Sequence, residues 1–118
     1  MAHFKTGKGG LIGIEFLVQY LQMKNCVMET NTLAAIDRLG SLLDGAERDI
    51  LRSAYVFFRR IESVLRRASN SSVSQLPSRK EELHALAHRL EQPNEKEFLE
   101  IYHLRRKQAQ QIIEGYLS

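Results

Sequence analysis

The sequence predicts an all-α protein, a bundle of about five helices with short connections and a glycine-rich N-terminal loop. Apolar residues recur at helical spacing in five segments, and residues suited to helix N-caps precede most of them. Hardly any stretch alternates apolar and polar residues as a half-buried strand would. The 118 residues amount to one domain that can bury a core without metal or disulfides.

The first helix is predicted over Ile12–Met23. Its inward stripe consists of Ile14, Leu17, Val18 and Leu21, and Phe16, Tyr20 and Met23 extend that stripe. A helix with so little polar surface is expected to be buried on most sides. Its acidic residue Glu15 therefore needs a partner, because a carboxylate close to a core is costly when unpaired.

Two more helices follow in the middle of the chain. The segment "METNTLAAIDRLG" predicts a short helix with Thr30 or Asn31 as its N-cap and Gly40 just past its end. Asp44 and Glu47 have the spacing of a capping box, which starts a third helix that continues to about Ala68. The inward stripe of that helix comprises Ile50, Ala54, Phe57, Phe58, Ile61 and Leu65.

The serine-rich stretch "SNSSVSQLPS" predicts a loop, and two helices complete the chain. Ser78 with Glu81 repeats the capping-box spacing at the start of the fourth helix, as Asn94 with Glu97 does before the fifth. The fifth helix is predicted from Glu95 to near Tyr116. The predicted inward residues are Leu83, Leu86, Ala87 and Leu90 in the fourth helix and Phe98, Tyr102, Ala109, Ile112 and Tyr116 in the fifth.

Composition favours a cytoplasmic protein. The single cysteine, Cys26, fits a reducing compartment and is interpreted as a semi-buried filler. The first ten residues lack the apolar region of a signal peptide, and no apolar run is long enough to cross a bilayer. We therefore expect no membrane partner. The net charge of +3 permits an anionic partner without requiring one.

Residues that could bind a metal or a nucleic acid are poorly arranged for either role. The aspartates form no D-x-D motif, and His84 and His88, four residues apart on one helix, lack a third ligand. The basic clusters at Arg59–Arg60, Arg66–Arg67 and 105–107 have no interleaved aromatic residues, and Glu62 has the spacing of a helical ion pair with Arg66. We expect no metal site and no nucleic-acid partner.

The opening "KTGKGGLIGIEF" has two interpretations. Backbone N–H groups at a helix start, with Lys5 and Lys8 close by, can bind an anion. The alternative is a loose leader, since chain termini are commonly poorly ordered. The stretch is not a Walker A loop, because the G-x-x-x-x-G-K-[ST] order is missing.

Three blocks of this sequence resemble one known family. "KTGKGGLIGIEFLVQYLQ" resembles the K-x-G-x-G-G-[IL]-x-[DE]-I-E-F signature of the bifunctional glutamine synthetase adenylyltransferase/deadenylase. "NTLAAIDRLGSLL" and "LRSAYVFFRRIESVLRRASNSSVSQLP" are similar to later segments of that family, in the same order. The resemblance covers about residues 4–90, and the tail after Pro93 matches only as a helix.

The resemblance implies a domain organisation. In the family, a nucleotidyltransferase domain with G-S-x-x-D-x-D carboxylates precedes a helical bundle that is related to the one in PII uridylyltransferases. This chain contains no such motif, so residues 1–11 are interpreted as a junction loop and residues 12–118 as the bundle, expected to be inactive alone and to bind no cofactor by itself. ATP and Mg²⁺, with glutamine synthetase and a PII-type regulator as partners, are implied for the full-length family.

The resemblance also implies roles for individual residues. Lys5, Gly9 and Gly10 would lie near the nucleotide, and Glu15 would pair with Arg59 or Arg60 or turn toward the missing domain. Two departures weaken nucleotide contact. Gly13 replaces an acidic residue of the signature, and Ser72-Val73-Ser74 replaces a polar Q-T-[HQ] segment. The alternative function is a free-standing helical interaction module that kept the fold and lost the nucleotide role.

Overall fold

The computed structural model describes residues 4–5, 9–39, 43–69 and 75–117, and within these ranges it contains helices and no strand. The five helices are α1 (Leu11–Asn25), α2 (Thr32–Arg38), α3 (Gly45–Ser69), α4 (Lys80–Arg89) and α5 (Glu95–Leu117). The predicted all-α fold of about five helices is confirmed. Gly40 and Ser72-Val73-Ser74, for which the sequence made specific predictions, lie outside the described residues.

Helix α3 is the centre of the bundle, since it contacts each of the other four helices. Its predicted inward stripe is confirmed: Ala54, Phe58 and Ile61 are fully buried. Against them pack Phe98 and Tyr102 of α5, with 5.7 Å between the ring centres of Phe58 and Tyr102 in an edge-to-face arrangement. Aromatic packing between α3 and α5 therefore forms the middle of the core.

The predicted N-caps hold at three helices. The side-chain oxygens of Asn31, Asp44 and Asn94 accept hydrogen bonds from backbone N–H groups at the starts of α2, α3 and α5. The predicted Ser78 cap is wrong, because α4 begins at Lys80 with Arg79 in the N-cap position and no side-chain cap bond. Two glutamates in the first turn of α4 lie opposite Arg79 and favour the helix dipole there.

Helix α1 departs from the prediction on one side. Its inward stripe is buried as predicted, whereas Phe16, Tyr20 and Met23, which were expected to extend that buried surface, are exposed. Cys26 is also exposed rather than semi-buried, because it caps α1 in a left-handed conformation with φ of 56°. Helices α2, α3 and α5 cover only the inner sides of α1.

None of the helices in the described ranges combines the length and the apolarity that a membrane span requires.

Candidate functional site

The glycine-rich opening folds back onto the start of α1. The backbone N–H groups of Leu11 and Ile12 donate to the carbonyl oxygens of Phe4 and Lys5, both over 2.9 Å. The Phe4 side chain is fully buried in the core. Two of the N–H donors that a helix start normally leaves free are thus satisfied by the chain itself, so the N-terminus of α1 offers fewer donors to an anion than the sequence suggested.

Gly9 fixes the loop against α5. Its φ is 79°, in the left-handed region, and a Cβ atom at this position would overlap the backbone carbonyl oxygen of Arg106. Only glycine meets both demands without strain. Gly10 takes the N-cap position of α1 in an extended conformation, and its carbonyl accepts the first helical hydrogen bond, from Ile14. Gly9 therefore has a structural explanation that needs no ligand, whereas the conformation of Gly10 is open to other residues.

A buried carboxylate, that of Glu62, ties the loop to α3. The residue is only 4% exposed. Its oxygens lie 2.7 Å from Lys5 Nζ, 2.7 Å from Arg59 Nη1 and 3.7 Å from Arg66 Nη2. The Glu62–Arg66 pair predicted from the i, i+4 spacing is confirmed. One buried acid shared by three cations leaves this cluster with a net positive charge.

The predicted partnership of Glu15 is not formed. Arg59 pairs with Glu62, which lies one turn further along the same helix, and within the described ranges Glu15 has no hydrogen bond or ion pair. Glu15 is half-buried, so part of its surface is accessible. The second possibility, that Glu15 faces a missing domain, stays a prediction. Placement of Lys5, Gly9 and Gly10 near a nucleotide likewise stays a prediction.

Arg60 lies in a groove between α2, α3 and α4. The groove has a volume of about 500 Å³, and its lining includes Arg59, Arg60 and Arg67 of α3 and Arg89 of α4. None of the described residues that line it is acidic. Three of these arginines lie close together in the sequence of α3, whereas Arg89 is 22 residues further along the chain. The packing of α4 on α3 brings Arg89 next to the other three.

The outer side of α1 carries a line of exposed apolar residues, here called the apolar face of α1. It consists of Ile12, Phe16, Tyr20 and Met23, whose spacing of four, four and three residues places them along one side of the helix. Phe16 is 66% exposed and Met23 is 78% exposed. Polar residues border this face: Gln19 is exposed beside it, and Lys24 Nζ lies 5.9 Å from the ring centre of Tyr20. Exposed apolar side chains with a polar border are typical of a contact surface.

Histidine and acidic residues form no metal site in the ranges the structure describes: no three or more His, Cys, Asp or Glu side chains are grouped to hold an ion. His84 instead lies with its Nδ1 atom 3.0 Å from a carboxylate oxygen of Glu95. The pKa of Glu95 lies below its ordinary value, because a backbone hydrogen bond at the start of α5 and the contact with His84 both favour the carboxylate. The pair links α4 to α5.

Comparison with known proteins agrees with this architecture. The profile of the GlnD PII-uridylyltransferase family matches residues 2–117. Among curated proteins, the bifunctional glutamine synthetase adenylyltransferase/adenylyl-removing enzymes of Mycobacterium leprae (strain TN) and Mycobacterium avium (strain 104) are 31% and 32% identical in alignments of 109 residues that cover 85% of this chain. The enzyme of Mannheimia haemolytica is 31% identical in an alignment of 83 residues that covers 64% of this chain.

The chain spans only about a tenth of the length of these relatives, 11% in the two mycobacterial enzymes and 9% in that of Mannheimia haemolytica. The matched part is the helical domain, and the five-helix fold described above is the structure of that domain. Because the family profile matches nearly the whole chain, the chain belongs to the GlnD PII-uridylyltransferase family.

Proposed function

We propose that this helical domain packs on a nucleotidyltransferase domain and helps to position its nucleotide or its protein substrate. The observation that carries this proposal is the exposed apolar face of α1, formed by Ile12, Phe16, Tyr20 and Met23. Full burial of a large apolar side chain contributes about 1.5 to 3 kcal/mol, so covering the exposed parts of Phe16 and Met23 contributes about 2 to 4 kcal/mol.

The position of this face relative to the N-terminal loop supports the proposal. Residues 4–5 and 9–10 lie at the beginning of α1, and the apolar face starts one residue into the helix, at Ile12. A domain seated on this face would lie beside the loop that resembles the family's junction. Glu15, half-buried and without a partner among the described residues, would lie at the border of the same contact.

In this arrangement Lys5, Gly9 and Gly10 lie near the nucleotide cleft as a scaffold. Lys5 is paired with Glu62, and Gly9 is held against α5, so both residues fix the shape of the loop. ATP and Mg²⁺ would bind to the nucleotidyltransferase domain, and AMP transfer would need that domain. By resemblance, glutamine synthetase and a PII-type regulator are the proposed protein partners, and the proposed setting is nitrogen regulation in the cytoplasm.

A chimeric enzyme tests this role. The 109-residue region of the Mycobacterium leprae relative that matches this chain would be replaced by the chain, and adenylylation of glutamine synthetase would be measured. We expect the chimera to retain activity, because the chain supplies the missing helical domain. We expect Phe16→Glu to reduce that activity at least about ten-fold, because a charge then has to be buried in the contact.

The matched control is Leu104→Glu, which introduces the same charge at an exposed leucine on α5, 54% exposed and outside the α1 face. It should leave the activity of the chimera near that of the unsubstituted chimera. Equal effects of the two substitutions would refute docking through α1. An inactive chimera that contains a folded chain would favour the free-standing interaction module instead.

A further inference from the structure

The groove between α2, α3 and α4 holds an unusual concentration of positive charge. Arg59, Arg60, Arg67 and Arg89 line a volume of about 500 Å³, which is within the range of small-molecule sites. The described lining residues include no aspartate or glutamate that could neutralise them. Like charges gathered around one concave space raise its affinity for anions.

These arginines keep most of their hydrogen-bonding capacity. Arg60 and Arg89 make no hydrogen bond or ion pair with any described residue. Toward the described residues, Arg67 uses only its Nε atom, which donates to the backbone oxygen of Ser63 over 3.3 Å. Arg59 shares Glu62 with two other cations. Guanidinium groups left unpaired in this way can bind phosphate oxygens through paired, charge-assisted hydrogen bonds.

The helices explain how the free protein tolerates the cluster. Arg67 lies in the last turn of α3 and Arg89 in the last turn of α4. The C-terminal end of a helix carries a partial negative charge, which stabilises a cation placed there. That stabilisation is partial, so an anion in the groove would relieve the remaining repulsion among the arginines.

We propose that this groove is a binding site for a small oligophosphate, a compound with two or more linked phosphate groups. A terminal phosphate brings up to about two charges and three acceptor oxygens, and each further linked phosphate adds charge and acceptors along the chain. Arg60 and Arg67 are seven residues apart, about 10 Å along the axis of α3, so a chain of linked phosphates can contact both guanidinium groups at separate phosphates and accept more charge-assisted hydrogen bonds than a single phosphate can. The described lining includes no exposed aromatic residue to stack on a base.

The site is independent of the proposed packing of α1, since none of the described residues that line the groove belongs to that helix. Because the charges of the described lining are the four arginines and its one aromatic residue, Tyr55, is buried, the ligand would be recognised chiefly through its phosphates. Tripolyphosphate and ATP should therefore bind with similar affinity.

Isothermal titration calorimetry of the 118-residue chain at low salt tests the proposal, with phosphate, tripolyphosphate and ATP as ligands. We expect saturable binding of one tripolyphosphate per chain, at least about ten-fold tighter than phosphate, and weakening as salt screens the charges. Arg60→Gln and Arg89→Gln should each weaken tripolyphosphate binding by about ten-fold or more, as loss of a charge-assisted hydrogen-bond pair would.

The matched control is Arg48→Gln, which removes the same charge from the same helix outside the groove and should weaken binding by less than about two-fold. Circular dichroism would verify that each variant is folded. An equal effect of Arg48→Gln would overturn the proposal, as would the absence of saturable binding. Tighter binding of hexaglutamate or of an oligouridylate than of tripolyphosphate would also overturn it, in favour of an acidic protein segment or of RNA.

Discussion

Replacement of Gly9 by alanine should be strongly destabilising. The φ of 79° places the residue in the left-handed region, where a side chain costs about 1 to 2 kcal/mol. The added Cβ atom would also overlap the carbonyl oxygen of Arg106, which belongs to the backbone of α5 and cannot rotate away as a side chain can. The loop would have to separate from α5 to make room for it.

The cost of that separation sets the upper limit of the effect. A detached loop exposes Phe4, whose burial contributes about 1.5 to 3 kcal/mol, and breaks the Lys5–Glu62 ion pair, which contributes about 1 kcal/mol because Lys5 is partly exposed. We therefore expect Gly9→Ala to lower the free energy of unfolding by about 2 to 4 kcal/mol.

Urea and thermal unfolding followed by circular dichroism would measure the change, with Gly115→Ala as the matched control. A Cβ atom at Gly115 meets no atom within 4 Å, and alanine is the better helix former, so this control should be neutral or stabilising by up to about 1 kcal/mol. If Gly9→Ala left the stability within about 0.5 kcal/mol of the unsubstituted protein, the loop would not be held against α5 as described.

Three further contacts can be tested by substitution. Glu62→Gln should cost about 2 kcal/mol, and a double-mutant cycle with Lys5→Met should show coupling between the two; additive effects would contradict the ion pair. Tyr116→Phe should cost about 1 kcal/mol at pH 7, because the tyrosine hydroxyl donates to a glutamate of α3 over 2.8 Å. That bond raises the pKa of Tyr116 above its ordinary value of 10.0. The loss of unfolding free energy in Tyr116→Phe should therefore be constant below pH 10 and vanish as the pH rises through the raised pKa. A loss that persists above that pH would contradict the hydrogen bond. Asn94→Ala should lower the free energy of unfolding by about 1 kcal/mol and Ser78→Ala by only a few tenths, because of these two residues only Asn94 caps a helix. Equal losses in thermal unfolding would refute this assignment.

The helices were predictable from sequence because two independent local signals coincide. At Asn31, Asp44 and Asn94 a capping residue comes directly before an apolar pattern of helical period, and the structure places helix starts there. Ser78 precedes Glu81 by three residues, as Asp44 precedes Glu47, but it lies one residue before the N-cap position of α4, which Arg79 occupies. A capping signal therefore locates a helix start only to within one or two residues.

The inward stripe of α1 was predicted correctly, but the extent of burial around it was not, because the helix is apolar nearly all round. Leu17 and Phe16 are neighbours of similar hydrophobicity, yet the first is fully buried and the second largely exposed. Where both faces of a helix are apolar, the hydrophobic pattern does not tell how many of its sides other helices cover. Three helices contact α1, and they cover its inner sides only.

The buried carboxylate was missed for a different reason. Glu62 has the spacing of an ordinary surface ion pair with Arg66, which suggests a solvated residue. A usable signal was present, since Glu62 comes directly after Ile61 and one turn after Phe58 on the apolar stripe of α3. Its contact with Lys5 depends on the loop folding back onto α1, which no local spacing reveals.

We propose above that the exposed face of α1 is the contact surface of a nucleotidyltransferase domain. The oxidation rate of Met23 is the most direct test of that contact. Met23 is 78% exposed and should react readily with peroxide in the 118-residue chain. In the chimeric enzyme we expect the rate of Met23 oxidation, followed by mass spectrometry, to fall several-fold. An unchanged rate in a folded, active chimera would contradict it.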